Sequence, residues 1–343
     1  MKIRIIIFLM ALVLISTMTF CQSFVANVSK RGTTAAPFLS ISEGAKATAM
    51  GSAFVAVSDD QSAFFWNPAG LARIEGVGVM FDHTNWLADV AYNFIGASYN
   101  LGDMGAVGFS FLSSAYGDMK VTTVDAPDGT GQIFTVSDIA FSIGYAKNLT
   151  DNFAIGFNPK IVYQSIWNAH AIGFAMDLGV QYKTPFEGIM LGMSISNFGT
   201  KMQMQGTTTL VTYDPDPTTT GNNGKIAANL NTDYWSLPLI FRVGLAYSPI
   251  SNEIHKFTIA VDALHPSDNY ESVNIGGEYV FHDILAIRGG YKSLFLQNSE
   301  ESFTLGFGLK QLLLGNIAIR LDYAYQNFGH LNNIQKFTVG IAF

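Results

Sequence analysis

The sequence predicts an all-β fold: a transmembrane outer-membrane β-barrel of about 14 antiparallel strands, with an N-terminal hatch in its lumen. Three observations favour this fold. The chain starts with an export signal, and charged residues make up only 13% of it, about half the share in soluble domains. After the signal, no run approaches the roughly 20 apolar residues of a membrane helix. Strict alternation of apolar with small or polar residues recurs to the last residue, and only helices and closed barrels satisfy every backbone group in lipid.

Residues 1–21 are typical of a secretory signal peptide. A basic start at Lys2 and Arg4 precedes a short apolar run over residues 5–15, too short for a spanning helix. Cleavage after Cys21 would leave no cysteine, which excludes disulfides and thiolate ligands from the mature chain. The alternative is a lipoprotein acylated on Cys21, but Phe20 stands where a small residue is wanted. The acidic net charge of −7 argues against nucleic acid as a partner.

Residues 77–343 contain the alternating runs that predict the barrel. In the last run, Phe337, Val339, Ile341 and Phe343 share one face, and small or polar residues occupy the other. The predicted strands are 77–83, 90–101, 105–123, 136–147, 153–166, 169–183, 188–200, 234–248, 254–264, 271–281, 285–293, 302–312, 316–326 and 334–343. An even number of strands is typical of single-chain bacterial barrels.

The connections between the predicted strands alternate in length. The outward loops include Asp125–Thr135, Thr200–Tyr234 and Ser293–Glu301, and the loop after the first strand carries His83, Trp86 and Asp89. The other connections are short turns, such as Leu101–Gly105 and Thr184–Gly188. Long loops at one end and tight turns at the other are the outer-membrane pattern. Strands that run toward the short turns end on aromatic residues, which predicts a girdle at the periplasmic interface: Tyr145, Tyr182, Tyr247, Tyr279 and Phe343.

Residues 22–76 contain no convincing lipid-facing strand, although they carry an aromatic run at Phe64, Phe65 and Trp66. A barrel of about fourteen strands has a lumen that needs filling. We therefore expect this segment to form a hatch, with the aromatic run packed on the inner wall. The turn that follows is Asn67, Pro68, Ala69 and Gly70; proline fixes one dihedral angle and glycine widens the choice of conformations. The alternative is a periplasmic segment lying against the mouth of the barrel.

The stretch SEGAKATAMGSAFVAVSDDQSAFFWNPAGLA (residues 42–72) resembles the N-terminal signature of the PorV/PorQ family of outer-membrane proteins. HTNWLADVAYNF (83–94), SNFGTKM (196–202), LPLIFRVGLAY (237–247) and DYAYQNFG (322–329) extend the resemblance over nearly the whole mature chain. The NPA step alone is shared with FadL-type fatty-acid transporters. Both groups have a fourteen-stranded barrel with an internal hatch. The resemblance implies a role linked to type IX secretion, since some members serve it and one kind carries cargo from the translocon to an attachment complex.

No enzyme chemistry is predicted. The six histidines are scattered, no metal-ligand spacing or nucleophile motif occurs, and no cofactor is expected. Asp214 and Asp216 could suggest a calcium loop, but their spacing matches no known one, and a flexible surface loop fits better. The charged residues on the inward face of the strands have both signs. This favours a network of compensating charges that holds the hatch, rather than an ion-selective pore. These charged residues are Lys160, Asp177, Arg242, Asp262, Glu278, Arg288, Lys310, Arg320 and Asp322.

Pro159 lies inside the fifth predicted strand, next to Asn158. Proline cannot donate to a β-ladder and a closed barrel has no free edge, so a bulge or wall gap is expected there. It could be merely structural or a lateral portal. The favoured function is a non-enzymatic accessory or docking component of protein secretion, whose partners are outer-membrane lipid, translocon subunits or exported cargo. The alternative is a FadL-like channel with a hydrophobic ligand in its lumen.

Overall fold

The computed structural model describes residues 30–221, 223–313, 317–331 and 333–343. The predicted signal peptide and residues 22–29 of the predicted hatch lie outside the described residues. Within them, fourteen strands form one antiparallel sheet, and the two-residue strand Gln205–Gly206 adds to it beside Ala169 and His170. Their bounds are β1 Val77–Asn85, β2 Ala91–Asn100, β3 Ala106–Ala115, β4 Val136–Thr150, β5 Phe153–Ile166, β6 Ala169–Lys183, β7 Ile189–Gly199, β8 Ile240–Ser251, β9 His255–Pro266, β10 Ser272–Phe281, β11 Leu285–Leu294, β12 Phe303–Leu312, β13 Ala318–Gln326 and β14 Ile334–Ala342.

The sheet closes because β1 pairs with β14, with Met80 opposite Gly340. The predicted fourteen-stranded barrel is thus confirmed. The alternation of side chains also separates two faces. On β14, Phe337 is 45% exposed on the outside, whereas its neighbour Lys336 is fully buried inside. An apolar outer face with a polar inner one is the arrangement of a barrel that faces lipid.

Most strand ends lie within three residues of the predicted bounds, but two predicted strands differ by more. The third ends at Ala115 rather than residue 123, because the chain leaves the sheet and Met119–Lys120 pair with Ile133–Phe134 in a separate ribbon. The eighth begins at Ile240 rather than residue 234. Pro238 has no N–H for the ladder, and its carbonyl accepts a hydrogen bond from the side chain of Asn197 on β7.

The N-terminal segment, residues 31–76, is built from short helical turns. They are the 3-10 helices Pro37–Ser40 and Pro68–Arg73 and the α-helices α1 Ala45–Ala49 and α2 Ala63–Trp66. Glycines with positive φ at 44 and 51 flank α1, and Pro68 follows α2 closely, so neither helix can lengthen. Among the described residues, no helix is long and apolar enough to cross a membrane.

The barrel has two unlike ends. At the long-loop end, a two-stranded ribbon of Leu210–Tyr213 and Ile226–Asn229 projects from the connection between β7 and β8. At the short-turn end lie the turns between β2–β3, β4–β5, β6–β7, β8–β9, β10–β11 and β12–β13. The N-terminal segment runs from one end to the other. Thr34 donates to Asp268 at the long-loop end, and Val77 donates to the carbonyl of Phe343 at the short-turn end.

Candidate functional site

A belt of inward-facing glycines surrounds the N-terminal segment. On eleven strands, β1 to β8 and β10 to β12, one glycine lies so close to this segment that an added Cβ would meet it. These glycines are Gly78, Gly96, Gly108, Gly144, Gly156, Gly179, Gly192, Gly244, Gly276, Gly290 and Gly306. At Gly276, for example, a Cβ would lie 2.0 Å from the carbonyl oxygen of Met50. At Gly156, Gly192, Gly276 and Gly290 the nearest atoms are backbone atoms of the segment, so backbone packs directly on backbone. At most of the others, side chains of the segment fill the space that the glycine leaves.

The remaining three strands hold the segment through other residues. Asp262 on β9 accepts hydrogen bonds from the backbone N–H groups of Phe54 and Val55, at 2.7 and 2.9 Å. Ala324 on β13 packs with two alanines of α1. Thr338 on β14 accepts from the backbone of Ala45. The segment therefore contacts all fourteen strands from inside the ring.

The aromatic run lies at the centre of this packing. Phe64 and Trp66 are each 1% exposed, and Phe65 stacks edge-on against Trp66 with 4.9 Å between ring centroids. The indole N–H of Trp66 donates to the carbonyl of Glu43, at 2.8 Å. The guanidinium of Arg242 on β8 lies 5.5 Å from the Trp66 ring centroid, a cation–π contact made away from water.

The turn after the aromatic run is fixed by the side chain of Asn67. Its amide donates to the carbonyls of Val55 and of Val180 on β6, both at 2.9 Å, while its oxygen accepts from the N–H of Ala69. Asn67 caps the 3-10 helix that starts at Pro68. Gly70 packs on the backbone of Ser58, where a Cβ would lie 2.1 Å from the Ser58 oxygen. In the structure Asn67 bonds to the wall strand β6 and Ala69 lies against Gly156 of β5, whereas Gly70 packs within the segment.

We expect Trp66→Ala to loosen the N-terminal segment while strand pairing survives. Truncating a buried tryptophan typically costs about 3–5 kcal/mol, and the Trp66 hydrogen bond to Glu43 is lost as well. Cells producing the variant should become more permeable to large antibiotics, and the protein should keep its heat-modifiable electrophoretic mobility. Phe81→Ala, on the lipid-facing side of β1, is the control and should leave permeability unchanged. Wild-type permeability in Trp66→Ala would contradict a sealing role for the segment.

On the short-turn side of the belt, ion pairs join the segment to the wall. Lys46 on α1 lies 2.7 Å from Asp59 and 3.4 Å from Glu278 of β10. The chain of pairs continues as Glu278–Arg288, Arg288–Asp322, Asp322–Arg320 and Arg320–Asp60, with nitrogen–oxygen distances of 2.6–2.8 Å. These groups line a cavity of about 550 Å³. Four of the predicted inward charges meet in this network; its partners in the segment, Lys46, Asp59 and Asp60, were not identified from the sequence.

The other predicted inward charges take different positions. Lys160 pairs with Asp177 at 2.7 Å and donates to Asn197 at 2.9 Å. Arg242 donates to Ser196 on the neighbouring strand, also at 2.9 Å. Lys310 instead pairs with Asp283 at the short-turn end, where both side chains are partly exposed. Lys160 and Lys310 thus form ion pairs, whereas Arg242 is held by a hydrogen bond to a hydroxyl group and by the aromatic run.

The wall beside Pro159 is irregular. The ladder between β4 and β5 omits the pairs of Ile143 with Pro159 and Gly144 with Asn158, and the register is the same on both sides. The amide of Asn158 donates to the carbonyl of Phe64 and to Asp177, at 3.0 and 3.1 Å. A cavity of about 30 Å³ lies inside this stretch, lined by Asn158, Phe64, Phe94, Leu112 and Glu43 among others.

The seam where the barrel closes is tied to the N-terminal segment by a buried network. Lys336 on β14 donates to Thr84 on β1, at 2.8 Å, and to the carbonyl of Ser42. The N–H of Gly44 donates to Asp82 on β1, at 3.1 Å, and Thr338 donates to the same carboxylate. Lys336 and Asp82 are fully buried, 3.9 Å apart. The segment thus bridges the first and last strands, a link that the sequence does not reveal.

Next to this seam, Glu43 is 1% exposed and its carboxyl oxygens have no hydrogen-bond partner among the described residues. Burial raises the pKa of Glu43 to about 8, because desolvation disfavours the ionised form. The raised pKa favours the neutral carboxyl group, which limits the cost of leaving it unpaired.

The residues of the first outward loop do not converge on one site. Trp86 packs edge-on against Tyr92 and Phe328, and His83 bonds to Asn93 with 2.8 Å between Nδ1 and Oδ1. Asp89 is exposed in a turn with φ of 57°. In the part of the chain that the structure describes, no cluster of His, Cys, Asp or Glu could hold a metal ion.

Comparison with known proteins gives both a family and a fold. Residues 25–208, just over half of the chain, match the family described as type IX secretion system protein PorV. Among curated proteins, none matches the chain in sequence. The toluene transporter TodX of Pseudomonas putida is 15% identical with a TM-score of 0.56, over 87% of this chain and 96% of TodX. The Ralstonia pickettii toluene transporter TbuX is 12% identical with a TM-score of 0.55, over 88% and 97%. At such identities the likeness shows the shared barrel fold alone.

Proposed function

Since the chain belongs to the family of type IX secretion system protein PorV, we propose that it is a non-enzymatic accessory of protein secretion that docks partners at its long-loop end. The observation that carries this proposal is the filled lumen. Residues 31–76 contact every strand of the barrel and are held there by close packing on the glycine belt and by hydrogen bonds to the wall. A barrel closed in this way is suited to presenting a surface rather than to conducting solutes.

The long-loop end offers such a surface. On the projecting ribbon, Leu210 is 55% exposed and Tyr213 is 57% exposed; Tyr234 beside it is 61% exposed. A two-stranded ribbon is marginally stable by itself in water, and grouped exposed apolar side chains mark interaction sites. Translocon subunits or exported proteins are the partners that the family membership supports.

The test is affinity purification from native outer membranes with two variants. In the first, residues 209–230 are replaced by a short Gly/Ser linker; in the control, residues 121–132 of another outward loop are replaced. Secretion subunits or exported proteins should copurify with the wild type and with the control variant. They should not copurify with the variant that lacks the ribbon. Equal recovery of these proteins with both variants would place docking elsewhere. If no secretion subunit or exported protein copurifies with the wild type, even after cross-linking, a secretion role would be contradicted.

A FadL-like channel for hydrophobic solutes is the second candidate. The interrupted ladder at Pro159 and the small aromatic cavity behind it favour this function. The cavity of about 30 Å³ has room for only about one or two waters, so a solute would require Phe64 or Phe94 to move. Mass spectrometry of solvent extracts decides this: a hydrophobic molecule bound in stoichiometric amount would favour the channel.

A further inference from the structure

The contact between β1 and β14 differs from every other contact between neighbouring strands of the described barrel. Thirteen of the fourteen neighbouring pairs join strands that follow each other in the chain, whereas β1 and β14 are its first and last strands. In a hairpin, the connection between the strands restricts their register. No connection joins β1 to β14, so other contacts must select the register in which they pair.

The inner face of this seam pairs charged residues with hydroxyl groups. Thr338 lies opposite Asp82 and donates a hydrogen bond to it. Two residues along, Lys336 lies opposite Thr84 and donates to it, at 2.8 Å. Lys336 and Asp82 are diagonal to each other, and their nitrogen and oxygen atoms are 3.9 Å apart. The observed register thus does not place this lysine opposite the carboxylate.

A register shifted by two residues would give the two strands more favourable direct partners. Lys336 would then lie opposite Asp82 on the inner face. On the outer face, Phe337 would lie opposite Phe81. Opposite charges and aromatic pairs are stabilising cross-strand neighbours. Every side chain would keep its face, since side chains alternate with a period of two, so burial does not exclude this register.

The N-terminal segment contacts both strands at a point that depends on their register. The N–H of Gly44 donates to Asp82 on β1, at 3.1 Å. The next N–H, of Ala45, donates to Thr338 on β14, at 2.8 Å. Successive N–H groups lie a fixed distance apart, so both bonds form when Asp82 and Thr338 are neighbours. A shift of two residues would move Thr338 along the seam by roughly 7 Å and break one of the bonds.

The segment also binds the lysine, and it is anchored away from the seam. The carbonyl of Ser42 accepts a hydrogen bond from the ammonium group of Lys336. After α1, Thr304 on β12 donates to the carbonyl of Ala49 and accepts from the N–H of Gly51, both at 2.9 Å. This part of the segment is therefore fixed relative to a third strand, and it can hold β1 and β14 in one position.

We propose that the N-terminal segment sets the register in which β1 and β14 close the barrel. Residues 42–45 act as a template that binds both strands, and the contacts after α1 anchor this template on β12. The number of strands and their stagger are linked to the tilt and diameter of a barrel, so the segment also fixes the width of the lumen that it fills. This role is separate from the docking of partners and does not depend on it.

The register is measured by disulfide formation on the outer face of the seam, in a background lacking Cys21. Phe81→Cys is combined with Val339→Cys, its partner in the observed register, or with Phe337→Cys, its partner after the shift. Directly opposite residues are within reach of a disulfide, whereas a diagonal pair at about 7–8 Å is not. With the rest of the sequence unchanged, mild oxidation should form the 81–339 bond and little of the 81–337 bond.

Gly44→Val tests the template. Gly44 has a φ of 84°, and an added Cβ would lie 3.1 Å from the Cβ of Ser62, so valine should displace this turn. Gly32→Val is the matched control, because Gly32 also has a positive φ, of 75°, but no atom within 4 Å of the added Cβ. In Gly44→Val the 81–337 bond should increase several-fold at the expense of the 81–339 bond. Gly32→Val should keep the original pattern.

Two further variants complete the test, which is made on the full-length protein in outer membranes and after refolding in detergent. Adding Asp82→Asn to Gly44→Val removes the charge that attracts Lys336 and should restore the 81–339 bond. Ala45→Pro removes the N–H that bonds to Thr338, at a helix start where proline is tolerated, and should give the shift in a weaker form. If Gly44→Val and Ala45→Pro form the 81–339 bond alone, the proposal is overturned, because the strands then find their register without the template.

Discussion

Replacing Gly276 by valine should abolish most assembled barrel, whereas the same change at Gly277 should have little effect. The two glycines are neighbours on β10, so strand propensity and membrane depth are matched. At Gly276 a Cβ would lie 2.0 Å from the Met50 carbonyl oxygen; at Gly277 its nearest neighbour is 3.6 Å away. The added Cβ clashes with the backbone carbonyl of Met50, so no side chain can rotate to relieve the clash.

The amount of heat-modifiable protein in outer-membrane fractions measures this effect. We expect Gly276→Val to fall several-fold below the wild type and Gly277→Val to stay close to it. Gly290→Val and Gly289→Val on β11 repeat the comparison, because the first faces Gly51 at 2.3 Å and the second faces no atom nearer than 3.6 Å. Similar yields within each pair would show that the N-terminal segment is not packed on the belt.

The second large effect is expected from Lys336→Met at the closing seam. This change leaves the Asp82 carboxylate buried without its cation, and breaking a buried pair typically costs about 3–5 kcal/mol. It also removes the hydrogen bonds from Lys336 to Thr84 and to the carbonyl of Ser42. The temperature at which the folded band disappears in an electrophoretic series should drop clearly.

Two further variants distinguish the loss of the seam network from the general effect of removing a lysine charge. Lys310→Met removes the partly exposed pair with Asp283, for which a loss of about 0–1 kcal/mol is expected. Adding Asp82→Asn to Lys336→Met removes the stranded charge and should recover part of the lost stability. A melting temperature of Lys336→Met equal to that of Lys310→Met would contradict the seam network.

The alternation of side chains was sufficient to predict the barrel. The polar phase of β14, with Lys336 and Thr338, was assigned correctly because period 2 is a local property of the chain. The largest errors in strand bounds have two causes: Pro238 cannot donate to the ladder, and the chain after Ala115 leaves the sheet for a separate ribbon. The interruption at Pro159 lies within a strand whose bounds the sequence predicted well.

The contacts of the lumen could not be predicted in the same way. Lys336 meets Ser42 across 294 positions of the chain, and no periodicity relates two such distant residues. The sequence shows that glycine is abundant, with 33 residues. It does not show that many of these glycines make room for the N-terminal segment. Inward-phase glycines on consecutive predicted strands were the available signal, and they would have indicated a segment in close backbone contact with the wall.

The account rests on residues 31–76 filling the lumen, and the accessibility of Ala69 tests this most directly. Ala69 is fully buried, between the Asn67 turn and Gly156 of β5. In a background without Cys21, a cysteine at Ala69 should react very slowly with a bulky, membrane-impermeant maleimide in opened outer-membrane vesicles. A cysteine at Thr219 in the long outward loop should react within minutes. Equally fast labelling of both sites would mean that the segment hangs free, and the filled lumen would be wrong.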